Sequence, residues 1–241
     1  MSTDPLPVRA RALWEGLASV PFPGRGGVRV AVSPRSQLCP AGWVGVVSLS
    51  GAAIVTVPDE DTAARARALA DLPPDAVADV DAVRGVLPVA RVLGPATLAY
   101  TSREEFRPVP PGSPTVHQLP SGHTDLRGLE EEAGEADAGE AGLEEATSPL
   151  FAVRAAGGVV AAAGYEVWQG RAAHIGVLTA PAWRGRGLAR ATGSAAAAHA
   201  LAAGLLPQWR ARIPASRRAA AALGFRELGV QLSVEPGTGR R

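Results

Sequence analysis

Apolar and polar positions follow their clearest rhythm after Leu150. The run LFAVRAAGGVVAAAGYEVWQGRAAHIGVLTA (150–180) holds small and β-branched residues in short stretches, interrupted at Gly157-Gly158 and around Gln169. It predicts three antiparallel strands joined by tight turns. GLARATGSAAAAHALAAG predicts a helix closed by Gly204 in a left-handed cap. LLPQWRARI predicts a further strand. PASRRAAAALGF predicts a short helix with Pro in its first turn and Gly224 after its last. FRELGVQLSVE ends the pattern as one strand or two. The order β-β-β-α-β-α-β describes an α+β or mixed α/β sheet. Its strand-helix-strand piece requires a right-handed parallel crossover.

The first 108 residues form a separate pattern. VRVAVS and GWVGVVSLSGAAIVTV read as Val-rich strands, and GPATLAYTS as another. DEDTAARARALADL (59–72) reads as a helix with acidic residues in its first turn and Pro73-Pro74 as its stop. DAVADVDAVRGVL reads as a second helix. This is a small α/β segment without a site signature. Residues 109–122, dense in Pro and Gly, are expected to be a linker. Residues 123–241 are expected to be the second domain. That domain begins with a low-complexity acidic stretch ending at Pro149, whose default reading is a solvated helix or loop.

Composition narrows the chemistry. The 241 residues carry 24 Lys+Arg against 23 Asp+Glu, so bulk charge makes no case for nucleic acid or a membrane surface. The chain contains no lysine, which excludes a GxxxxGK[ST] phosphate loop and a Schiff-base lysine. One cysteine, Cys39, and four histidines cannot build a Cys-rich zinc site, and no metal is expected. The start of the sequence has an early Asp and no apolar core of a signal peptide, and no run is long enough to span a bilayer. A soluble protein of the reducing cytoplasm is expected.

The junction APAWRGRGLARATG (180–193) carries the candidate chemistry. A strand ends near Thr179, Arg184-Gly185-Arg186-Gly187 form a short loop, and a helix begins near Leu188. The first N–H groups of a helix have no internal partners, and its dipole favours an anion there. Glycines admit close approach and arginines add forked donors. The loop reads as a lysine-free pyrophosphate cradle. The alternative is an ordinary strand-turn-helix.

Arg184-Gly185-Arg186-Gly187-Leu188-Ala189 resembles the Q/R-x-x-G-x-G/A motif of the GNAT superfamily of N-acetyltransferases. IGVLTAPAW resembles the strand that leads into that motif, and ASRRAAAALGF the family's last helix, which commonly ends in Leu-Gly-Phe. The resemblance covers about residues 116–235. It implies a GNAT-like fold for the C-terminal half. The N-terminal segment could be a degenerate second GNAT-like unit, but it has no cradle of its own.

The resemblance implies acetyl-CoA as co-substrate and an amine acceptor as partner, with a homodimer as a candidate assembly. The cradle, Arg184 to Ala189, would bind the CoA pyrophosphate. Val177 and Thr179 would pair with the pantetheine arm, and a free amide near Val177 or Leu178 would polarise the thioester carbonyl. Ser216 matches the Ser of the family's Asn-x-x-Ser pattern, with Ile213 in place of the Asn. His174 is the first candidate for general base because its ordinary pKa suits the task, and Glu166 is the second. A histidine packed between strands is the alternative reading of His174. The family's frequent general acid, a Tyr shortly before the terminal Phe, falls on Ala220. Trp183, Trp209 and His199 are expected to be packing residues. Arg210, Arg212, Arg217 and Arg218 are either helpers for the CoA 3′-phosphate or exposed surface arginines. The reading is an acetyl-CoA-dependent N-acetyltransferase. Its rivals are a catalytically weak acyl-CoA-binding module and an interaction scaffold.

Overall fold

A computed structural model describes residues 5–110 and 114–237. The expected linker's residues 111–113, and both chain ends, lie outside the described residues. The protein divides into two compact units. Unit 1 comprises residues 1–98 and 227–241, and unit 2 residues 99–226. The sequence-based boundaries, 1–108, 109–122 and 123–241, fall elsewhere. The chain makes one unit from its two ends, which no local composition change announces.

Unit 1 begins with helix α1 (Pro5–Ala18), which buries Leu6, Ala10, Leu13, Trp14 and Leu17. Strands β1 (Val28–Val32), β2 (Val44–Leu49), β3 (Ala52–Val57), β4 (Val89–Tyr100) and β10 (Arg226–Pro236) follow the order β1-β3-β2-β10-β4. β1 runs parallel to β3, while β2 is antiparallel to both β3 and β10. Ser50 and Gly51 both take positive φ in the β2–β3 turn, the geometry a two-residue hairpin requires. Helices α2 (Glu60–Ala66) and α3 (Val80–Arg84) are capped by Asp59 and Asp79, whose carboxylates accept first-turn N–H bonds. Val46, Val55, Leu69, Val83 and Leu232 meet in its core.

Unit 2 carries β5 (His117–Leu119), β6 (Leu150–Ala155), β7 (Gly158–Trp168), β8 (Ala172–Thr179) and β9 (Leu206–Ala211), in the order β9-β8-β7-β6-β5. The first four are antiparallel neighbours, and β8 and β9 are parallel. Helix α6 (Leu188–Ala202) makes the crossover between them. Its alanines Ala196, Ala197 and Ala200 pack on Ala163, Tyr165, Ile175 and Trp209 of one sheet face. Small side chains let this helix sit close: a Cβ at Gly193 would lie 2.7 Å from the Trp209 ring. Helices α4 (Leu126–Ala133) and α5 (Glu135–Ala141) cover the other face, burying Leu126, Leu129 and Ala141 over Leu150, Ala162 and Leu178. The short helix α7 (Pro214–Ala222) follows β9. The fold class is a mixed α+β sheet. No helix among the described residues is long and apolar enough to cross a membrane.

Candidate functional site

The cradle follows β8 through a 3-10 turn at Pro181–Trp183. Gly185 and Gly187 both have φ of +77°, and a Cβ at either would meet nothing within 4 Å. Their chain is therefore bent by left-handed residues around open space rather than around packed side chains. Gly187 is the N-cap of α6 and supplies no side-chain cap. The first amides of this fifteen-residue helix consequently face that space. Arg184 donates to the Thr179 carbonyl (3.2 Å) and pairs with Asp137 of α5 at 2.6 Å. Arg186 donates to the Ala182 carbonyl, and its guanidinium lies 4.6 Å from the centre of the Trp183 ring. Both arginines stay exposed.

Beside the cradle, two neighbouring strands part. β8 pairs with β9 only from Ala172 to Ile175, opposite Leu206 to Trp209, although β8 continues to Thr179. On its other side β8 remains paired with β7 throughout. Ala180 N–H donates to Val160 of β7. By the two-residue alternation of a strand, Val177 and Thr179 turn their backbone groups away from β7, to the open edge. Leu178 turns its own to β7. Thr179 Oγ1 is buried without a hydrogen-bond partner at this edge. The open space at the glycines, the unpaired edge and this orphaned hydroxyl fit an elongated ligand with an anionic end.

Glu166 and His174 face each other in register across β7 and β8. Glu166 accepts a 2.8 Å bond from the Trp168 indole, and that indole stacks on His174 with centroids 4.2 Å apart. His174 is half-buried, and its Nδ1 has no partner. Burial pushes the imidazole down to about 3. The Arg210 cation adds to this, and the Gln208 side chain opposes it. The expectation that the pKa of His174 suits proton abstraction is therefore corrected. The ring is neutral at pH 7, but its conjugate acid is far too acidic to hold an amine's proton.

That shift has a consequence for stability. In the unfolded chain an ordinary imidazole titrates near 6.5. Between pH 6.5 and 3 the unfolded chain binds the proton and the folded one does not, so stability is complete above 6.5 and falls as the pH drops. Urea unfolding should show the difference between wild type and His174→Gln shrinking by at most about 1.4 kcal/mol per pH unit from pH 6 to pH 4. A constant difference would mean that His174 titrates normally in the folded protein.

Other expectations resolve more simply. Ser216 Oγ accepts the Trp209 indole N–H at 2.9 Å, and so reaches the site only through the ring packed on Gly193. Tyr165 and His199 hydrogen-bond each other at 2.8 Å beneath α6, a packing role for His199. Ala220 is buried in the core. Arg212 pairs with Glu140. Arg210 is not an exposed surface arginine. It lies half-buried within range of Glu140 and Glu145, and burial lowers its pKa. Two residues not expected at the site lie beside Glu166 and His174: Trp168, which touches both, and Gln208, the register partner of His174. Gln208 is tied to the His174 side chain by a hydrogen bond and donates to the Tyr100 hydroxyl at 3.1 Å, and both Gln208 and Tyr100 are fully buried. A buried Gln inside the apolar run LLPQW is the signal that was available. Among the described residues no group of three or more His, Cys, Asp or Glu could hold a metal ion.

Residues 151–229 match the family model of the GNAT acetyltransferases. No curated protein matches the sequence. Among solved structures, the chain is similar to an acetyltransferase of the GNAT family from Novosphingobium aromaticivorans (24% identity, TM-score 0.46, 62% of this chain and 67% of that one). It is also similar to one from Colwellia psychrerythraea (18%, TM-score 0.45, 62% and 59%). A GCN5-related N-acetyltransferase-like protein from Streptococcus suis aligns over 88% of this chain and 89% of its own, at 17% identity and a TM-score of 0.49. The chain thus spans less than two thirds of the Colwellia protein's length.

Proposed function

We infer that unit 2 is built on the GNAT acetyltransferase plan, because residues 151–229 match that family's model. We propose that this unit binds acetyl-CoA and transfers the acetyl group to the amine of a small molecule or a protein, in a cytoplasmic setting. The parting of β8 from β9 immediately before the glycine cradle carries the proposal. An arm bearing amides can add to the open edge as a strand would, meeting Val177 and Thr179. The diphosphate would lie on the amides of Gly187, Leu188 and Ala189, with Gly185 leaving room for it and Arg184 and Arg186 on its flank. Leu178 would anchor the strand from its β7 side.

Acyl transfer needs stabilisation of the charge that develops on the thioester oxygen, and the Val177 amide is the donor at hand. It also needs an amine without its extra proton. With His174 so weak a base, Glu166 is the better candidate, directly or through water. No side chain at position 220 can return a proton to the thiolate, and solvent would serve.

A second reading, an acyl-CoA-binding module with little turnover, is favoured by that same Ala220 and by the low pKa of His174. Thermal unfolding with and without acetyl-CoA tests the shared premise, since a ligand of the native state raises Tm by mass action. Release of CoA thiol over an amine panel separates enzyme from binder. No shift in Tm at millimolar acetyl-CoA would defeat both readings.

The acidic stretch adds a kinetic expectation. Glu130, Glu131, Glu132, Glu135, Asp137, Glu140, Glu144 and Glu145 all lie on or beside α4 and α5. Burial and the neighbouring Glu144 hold the Glu130 pKa above the usual carboxylate value. One-signed charge concentrates cationic acceptors. Replacing Glu130, Glu131 and Glu132 by Gln should raise KM for a cationic amine at low salt and flatten its salt dependence, because the Debye length shrinks from about 10 Å at 0.1 M to about 3 Å at 1 M. Equal KM for variant and wild type at low salt would leave the stretch as packing and solvated surface.

A further inference from the structure

β1 ends the sheet of unit 1: it pairs with β3 and has no strand on its other side. The Gly27 carbonyl accepts from Ala53 N–H, and Ser33 N–H donates to the Val57 carbonyl. By the two-residue alternation of a strand, Gly27, Arg29, Ala31 and Ser33 turn their backbone groups to β3, and Val28, Val30 and Val32 turn theirs outward. Among the described residues no hydrogen bond reaches the outward groups of Val30 or Val32. An open edge is a template for another strand, and proteins blunt such edges with Pro, a bulge or an inward charge. The strand VRVAV has no Pro, and its register with β3 is unbroken. Its one charge, Arg29, is exposed and alternates to the face opposite the valines, whose side chains pack on the core.

A groove runs beside this edge, lined by Val30 and Val32 of β1 and by Glu60, Ala63 and Arg67 of α2 and its C-cap. Those three positions recur at i, i+3 and i+7, so they share one helix face. The face carries a carboxylate at one end, a small side chain in the middle and a guanidinium at the other end. Glu60 and Arg67 are both exposed, and neither has an ion-pair partner among the described residues.

We infer that this edge and groove form a docking surface for a second copy of the chain, joined about a two-fold axis at Ala31 by antiparallel pairing of the two β1 strands. The charges select this occupant. A two-fold axis exchanges the ends of the groove, so Glu60 of one copy meets the partner's Arg67, and Arg67 meets the partner's Glu60. The pairing satisfies the open backbone groups as well, because Val30 faces the partner's Val32 and both point outward. Ala31 meets the partner's Ala31 at the closest approach of an antiparallel pair, where a small side chain fits. Arg29 falls opposite the partner's Ser33, so no like charges stand directly opposed. Pro34 follows at once and keeps the ladder short. A short seam buries little area, which sets the affinity at about 1–100 μM. Dimerisation here uses no residue assigned to the acetyl-CoA site, and it requires no acetyl transfer.

Sedimentation velocity of the full chain from about 1 to 200 μM tests the seam. Wild type should pass from monomer to dimer across that range. Val30→Pro removes an outward N–H at an edge that tolerates proline, and should stay monomeric. Glu60→Arg and Arg67→Glu should each raise the dimer Kd about tenfold, since two attractive pairs become repulsive. An equimolar mixture of these two variants should dimerise as tightly as wild type, because each Arg of the one then faces a Glu of the other. Should Val30→Pro not fold, the two charge variants on the exposed helix face decide alone. A wild type that stays monomeric at the highest concentration would overturn the inference and leave the edge to an unrelated chain. Dimers left intact by the charge variants would place the interface elsewhere and overturn it too. So would a mixture that associates no better than either variant by itself.

Discussion

Gly187→Val should lower acetyl-CoA affinity by about 100-fold or more, which corresponds to about 2.7 kcal/mol. The residue sits at φ of +77° as the N-cap of α6, and a Cβ there projects into open space. In the folded protein the added Cβ meets no neighbour within 4 Å. It meets the ligand, since the same space is where a diphosphate must come to reach the helix amides. The substitution also strains the backbone, because a β-branched residue in a left-handed conformation costs about 1–2 kcal/mol. Gly204 separates the two effects. It follows the other end of α6, has φ of +76°, and likewise leaves a Cβ in open space. Gly204→Val should destabilise the protein comparably and leave acetyl-CoA affinity intact. Calorimetry on both variants decides. If Gly187→Val binds as tightly as wild type, the cradle assignment is wrong; if both variants lose affinity equally, the loss reports backbone strain.

The strands, helices and turns of unit 2 were legible because each has a local cause. Val and Ala runs produce the β6–β7–β8 meander; its turns lie at Ala156-Gly157, one residue before the expected Gly157-Gly158, and at Gln169-Gly170, and these four residues take positive φ. Gly204 and Gly224 close α6 and α7 in the same way. The bend of the loop before α6 was legible for a related reason, since Gly185 and Gly187 both take positive φ there. α1 was passed over although Leu6, Ala10, Leu13, Trp14 and Leu17 recur at helical spacing. β5 is three residues long inside a Pro-rich segment, too short for any periodicity.

What could not be read from local pattern was pairing over distance. β10 returns to unit 1 by matching Gly229–Val234 with Val44–Leu49, and nothing near either segment encodes the other. The surroundings of Glu166 and His174 have the same origin. Glu166 and His174 are separated by one turn and could be paired by eye. Gln208 and Tyr100 join them only through a parallel crossover and a strand from before the expected linker. The pKa of His174 was misjudged for this reason as well. Its depression comes from burial and from Arg210 on another strand, not from anything adjacent in the chain.

Val177→Pro should lower kcat for acetyl transfer by about 10²- to 10³-fold, the usual cost of removing one donor to a developing oxyanion. The direction of the Val177 amide decides the outcome. Val177 faces the edge that β9 has left, so its N–H takes no part in the β7–β8 ladder. Proline is tolerated in a strand where the missing N–H faces away from a partner. The residue before it is Gly176, which has no side chain to collide with the ring. The variant should therefore fold and keep most of its acetyl-CoA affinity, since the cradle is untouched. Leu178→Pro is the contrast. Its N–H faces β7, so the substitution breaks the ladder and should unfold the unit rather than slow the chemistry. Val177→Ala controls for lost packing, because the Val177 side chain lies close to Gly193 of α6. Thiol release under saturating acetyl-CoA, with circular dichroism as the check on folding, reads the result. A folded Val177→Pro protein with the kcat of Val177→Ala would show that this amide does not hold the thioester oxygen.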